Sequence, residues 1–85
     1  MRIDKFLKVS RVLKRRTVAQ DACAGGKVLV GDKVVKSSHQ LKAGDVVTVR
    51  FSGRPFVFRV CKICAHIKAD EAHTMYEVIE GTDQS

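Results

Sequence analysis

Apolar residues recur at helical spacing from the start of the chain. Ile3, Phe6, Leu7 and Leu13 share one side of a helical wheel with Ser10, while Lys5, Lys8, Arg11 and Arg15 fall on the opposite side. The spacing predicts an amphipathic helix from about Asp4, broken near Leu13, with a basic stripe turned away from the core. Thr17-Val18-Ala19-Gln20 then fits a capping box, Thr17 as N-cap and Gln20 three positions on. A second helix is predicted from there to Gly25-Gly26, where glycine suits the left-handed end. Its buried side would be Val18, Ala19, Ala22 and Cys23, all small enough for close packing on a neighbouring helix.

After Gly26 the period shortens to that of a strand. Val28-Leu29-Val30 and Val34-Val35 flank Gly31-Asp32, a two-residue hairpin turn with glycine first. Lys36 to Lys42 is polar and predicts a loop. Ala43-Gly44-Asp45 turns into a third strand, Val46 to Phe51; Ser52 to Pro55 turns into a fourth, Phe56 to about Ile63; a last strand is predicted at Met75 to Ile79. The order predicts an α+β fold, two short N-terminal helices packed on a small, mostly antiparallel sheet. No repeat or change of composition marks a boundary, so residues 1–79 read as one domain and 80–85 as a flexible acidic tail.

Composition adds bounds. Eighty-five residues leave room for one small core, and an apolar fraction of 45% is that of a folded chain. No apolar stretch nears the roughly 20 residues needed to span a bilayer, and no apolar block of signal-peptide type follows the basic start. The expectation is a cytoplasmic protein with no membrane partner. Cys23, Cys61 and Cys64 make an odd number, so reduced thiols are expected rather than a disulfide framework.

Charge changes the picture most. The formal net charge is +7, and the first sixteen residues carry seven basic side chains against one acid, Asp4. The remaining sixty-nine carry nine against eight. A row of unbalanced cations on one helix wastes self-repulsion unless a polyanion meets it. Lys14-Arg15-Arg16 at the helix junction adds guanidiniums that fork onto phosphate or stack on bases, beside the positive end of the second helix at Thr17.

These stretches resemble a known family. Arg2-Ile3-Asp4-Lys5-Phe6-Leu7, the Lys14-Arg15-Arg16-Thr17 junction, Gly26 to Gly31 and Lys42-Ala43-Gly44-Asp45-Val46-Val47 are similar, in order, to the S-four RNA-binding domain, with its alpha-L-like motif. Among short stand-alone members, the opening and Met75 to Glu80 resemble the bacterial quality-control factors of RqcP type. The heat-shock-protein-fifteen type carries a longer basic tail, whereas the last sixteen residues here hold five acids and no Lys or Arg. The resemblance implies an RNA-binding adaptor on obstructed large ribosomal subunits, contacting 23S ribosomal RNA and peptidyl-tRNA and assisting an RqcH-type factor in C-terminal alanine tailing. It also implies RNA contacts for Arg2, Asp4 and Arg16. The candidate site is therefore Arg2, Asp4, Lys5, Lys8, Arg11, Lys14, Arg15, Arg16 and Thr17.

Other residues raise alternative chemistry. Asp4 reads either as an acid favourable with the helix dipole or as a brace for Arg2 or Arg16. Cys61-Lys62-Ile63-Cys64 with His66 and His73 raises a zinc-dependent interaction module, but the histidine spacing is long and a strand through Cys64 would send the two thiols to opposite faces. No metal and no cofactor are expected. His39, His66 and His73 have no acid or nucleophile at a diagnostic spacing, so no enzyme is expected. Phe51, Phe56 and Phe58 read as core rather than a base-stacking platform. A DNA-binding helix-turn-helix would have only Gln20 and Asp21 to read base edges. A heat-shock-type recycler of peptidyl-tRNA is the nearer alternative. Self-association is not required, and a monomer is expected.

Overall fold

Helix α1 spans Ile3–Val9 and α2 spans Arg16–Ala24 in the computed structural model, which describes residues 1–51 and 54–81. Of the turn predicted over Ser52 to Pro55, Ser52 and Gly53 lie outside the described residues, as do most of the predicted tail and the side chain of Phe51, whereas Arg54 and Pro55 already belong to a strand. Helix α1 ends well before Leu13. Continued as a helix, the chain would place Val12 opposite Ile3, among the cations; instead it turns, and Val12 and Leu13 are both buried. The turn is made by Ser10, whose amide donates to the Phe6 carbonyl, and by Arg11, which has a φ of +63°. The Leu13 amide then reaches back to the Leu7 carbonyl at 3.0 Å.

Helix α2 starts at Arg16, two residues earlier than the predicted cap at Thr17 would place its first residue. Arg15 is its N-cap, and no side chain caps it. Thr17 lies inside the first turn rather than at the cap, so the capping box does not form, and Gln20 Nε2 donates to Asp4. Ala19, Ala22 and Cys23 are buried as predicted, but Val18 is 41% exposed. Gly26, at a φ of +72°, closes the helix in the left-handed conformation predicted for it.

The strands β1 (Val28–Val30), β2 (Lys33–Val34), β3 (Val46–Phe51), β4 (Arg54–Val60) and β5 (Tyr76–Glu80) form one antiparallel sheet in the order β2-β1-β3-β4-β5. Gly31-Asp32 is the two-residue hairpin loop, with Gly31 at a φ of +61°. Strand β4 stops at Val60, short of the predicted Ile63: its pairing with β5 ends at Tyr76, and beyond it the Cys61 and Lys62 amides both converge on the Met75 carbonyl instead of continuing the ladder. An unpredicted 3₁₀ helix, Ala69–Met75, takes up Met75 and feeds β5.

One sheet face is buried against the helices. Val47, Val49, Phe56, Phe58 and Val60 alternate inward and meet Ile3, Phe6 and Leu7 of α1. Phe6 lies over Phe58 at 6.1 Å with planes 15° apart, and Phe56 and Tyr76 complete the ring cluster. Phe56 and Phe58 are therefore core, as expected. The 36–42 segment is tied down too. Leu41 is buried, Arg2 bridges to Gln40, and the Ile3 and Asp4 amides donate to the His39 and Ser37 carbonyls. Those bonds satisfy amides that the first turn of a helix leaves without intrahelical partners.

Candidate nucleic-acid interface

Asp4 sits in the first turn of α1 with no exposed surface, and its carboxylate gathers donors from both helices. Oδ1 accepts from the Lys5 amide at 2.8 Å and from Arg16 Nη2 at 3.4 Å. Oδ2 accepts from Gln20 Nε2 at 3.0 Å and Arg2 Nη2 at 3.2 Å, and lies 3.3 Å from Arg16 Nε. Burial alone would push this carboxyl up. The bonds from Gln20, Arg16 and the Lys5 amide, with the Arg16 charge, outweigh it and hold the group below its ordinary value. Asp4 is thus both readings at once: an acid in the first helical turn and a brace for Arg2 and Arg16.

The two guanidiniums it holds remain 43% and 42% exposed. Each gives one edge to Asp4 and keeps donors free toward solvent. A guanidinium fixed in this way loses less freedom when it meets a phosphate than a free one does. Gln20 belongs to the same cluster, although the sequence reading used it only as a cap or a DNA reader. Its signal was available: Gln20 lies four positions after Arg16, on the same face of α2.

The other predicted cations are arranged differently. Lys8, Arg11 and Lys14 are exposed and line an open hollow of about 690 Å³ with Val9, Leu13, Ala65, His66 and Ile67. Lys5 is half-buried on α1, and Arg15 and Thr17 are exposed at the start of α2. Among the described residues, none of Lys5, Lys8, Arg11, Lys14 and Arg15 has a salt bridge. Arg11 also holds a left-handed backbone, which costs a non-glycine residue about 1–2 kcal/mol.

The cysteines stay apart. Cys23 is buried under α2, and burial, then the Asp4 charge, pushes its thiol up. Cys61 is exposed and Cys64 half-buried beyond the end of β4, and the described residues contain no group of three His, Cys, Asp or Glu able to hold a metal. No helix among them is long and apolar enough to cross a membrane.

The S4 domain family matches residues 1–47. The RQC P-site tRNA stabilizing factor of Streptococcus pneumoniae is 42% identical over 82 residues, covering 96% of this chain and 93% of the relative. That of Bacillus subtilis is 39% identical over 80 residues, covering 94% and 93%. Among solved structures, the trimeric heat shock protein 15 of Vibrio cholerae superimposes with a TM-score of 0.85 at 29% identity, over 93% of this chain and 81% of that one.

Proposed function

The chain belongs to the S4 domain family, in the group of the RQC P-site tRNA stabilizing factors, and on that premise we propose that it is a non-enzymatic RNA-binding adaptor of ribosome-associated quality control. In this reading it docks on obstructed large subunits in the cytoplasm, touching 23S ribosomal RNA and peptidyl-tRNA. It supports alanine tailing by an RqcH-type partner and acts as a monomer. The observation that carries the reading is the Asp4 cluster: two half-exposed arginines, one at the N-terminal end of each helix, held by one buried carboxylate. Phosphate is the natural ligand of outward-facing guanidiniums so fixed. Lys5, Lys8, Arg11, Lys14, Arg15 and Thr17 would extend the same face.

Gradient sedimentation of a mild lysate tests it, wild type beside the Arg2→Ala/Arg16→Ala double variant. The wild type should travel with large subunits carrying peptidyl-tRNA and the folded double variant should stay at the top. Wild-type migration by that variant would remove the site assignment; a wild type that never leaves the top would remove the ribosome.

A heat-shock-type recycler of peptidyl-tRNA is the second reading, favoured by the superposition on heat shock protein 15. Loss of alanine tails in cells lacking the protein supports the first reading, and unchanged tails the second. The DNA reading loses ground because Gln20, its main base reader, is spent on Asp4.

A further inference from the structure

The hollow between the end of α1 and the 65–67 segment has a composition of its own. Its floor is aliphatic: Leu13 is buried, and Val9 and Ile67 are half-buried and packed against the core. Its exposed lining is cationic, with Lys8, Arg11 and Lys14 beside His66 and no acid. About 690 Å³ is within the range of small-ligand sites. Its position is maintained at a cost, since Arg11 keeps a φ of +63° where glycine would sit without strain.

An apolar floor inside a ring of cations suits a flat apolar body that carries anions on either side. We infer that this hollow seats one unstacked base of a single-stranded RNA segment, with the flanking phosphates on Lys8, Arg11 and Lys14. The base lies against Val9, Leu13 and Ile67, and the Arg11 guanidinium or the His66 ring can cover its other face. A duplex offers no such body, because its bases are stacked inward and only its phosphates reach the rim. The inference rests on the RNA-binding reading above and adds a second, strand-selective subsite to it. Lys14 is two residues from Arg16, so the subsite adjoins the braced arginine pair along the chain.

Fluorescence anisotropy separates the possibilities, with a labelled single-stranded RNA of about eight nucleotides and a blunt RNA duplex of about sixteen base pairs. Ala65→Leu fills the hollow from an exposed position without changing charge. It should weaken single-strand binding about fivefold or more and leave duplex binding unchanged. Arg11→Gly suits the left-handed backbone and should keep the fold, by circular dichroism, while it too costs the single strand more than the duplex. A 2-aminopurine in the single strand should brighten on binding to the wild type and not to Ala65→Leu. Equal effects on both RNAs, or none on the single strand, would overturn the subsite alone. Displacement of the single strand by poly-glutamate as readily as by unlabelled RNA would overturn it in favour of an acidic protein partner. Failure of the wild type to bind either RNA would overturn the RNA reading itself.

Discussion

Arg16 and Arg11 are the same residue type on the same basic surface, five positions apart, yet the fold positions them by opposite means. Arg16 begins a regular helix, and its guanidinium is pinned by a buried carboxylate that also takes Arg2 and Gln20. Arg11 has no salt bridge among the described residues, and its direction is set by a strained backbone. Orientation by a charge partner uses up part of the donor set but lowers the entropy lost on binding. Orientation by backbone leaves every donor free and costs stability in the unbound protein. A surface that looks uniformly basic in sequence therefore contains two kinds of cation, and substitutions should tell them apart.

The largest effect is expected on the braced side. Asp4→Ala leaves two guanidiniums and a carboxamide without their shared acceptor. It should destabilise the fold by about 2 kcal/mol, toward the lower end for a buried acceptor because the arginines can turn to water. Urea unfolding should show a lower midpoint with unchanged slope, and an unchanged midpoint would mean that Asp4 braces nothing.

The same contribution should titrate. Asp4 has a folded value below its ordinary one, so its stabilisation is complete above the ordinary carboxylate value and is lost as pH falls through the lowered one. Wild type and Asp4→Asn should differ in thermal midpoint at neutral pH and begin to converge only as pH falls below about 4. A constant difference down to strong acid would place the effect in packing rather than charge.

Arg16→Lys should come next. A single ammonium cannot reproduce the two-atom contact with Asp4, so RNA affinity should drop about tenfold, with a stability loss near 1 kcal/mol. Full affinity in this variant would show that charge suffices and the brace is dispensable. The smallest effect has the opposite sign. Arg11→Gly relieves the left-handed strain and should gain up to about 1 kcal/mol of stability by chemical denaturation. A clear loss would show that the Arg11 side chain supports the fold as well as the surface.

Where the sequence reading and the structure part company, the causes are particular. The helix pair, the Gly31-Asp32 hairpin and the strand at Val46–Phe51 were legible because each follows from residues within one turn or one strand of each other. Leu13 misled by its spacing, since it is buried from a turn rather than from a helix. Thr17 looked like a cap because Gln20 follows at the right interval, yet a buried carboxylate sixteen residues earlier takes the Gln20 side chain. Of the site, Arg2, Asp4 and Arg16 are brought into one cluster and Lys8, Arg11 and Lys14 into another.

The sequence by itself determined the class of the fold and the end of the molecule that carries the charge, since periods of 3.6 and 2 and a count of cations are local properties. Only the tertiary structure decided which cations are braced and which surround a hollow. The burial of Asp4 between the helices and the sharing of one hollow by Arg11 and His66, some fifty residues apart in the chain, depend on how the helix pair and the segment after β4 pack around the core. No local pattern carries that information.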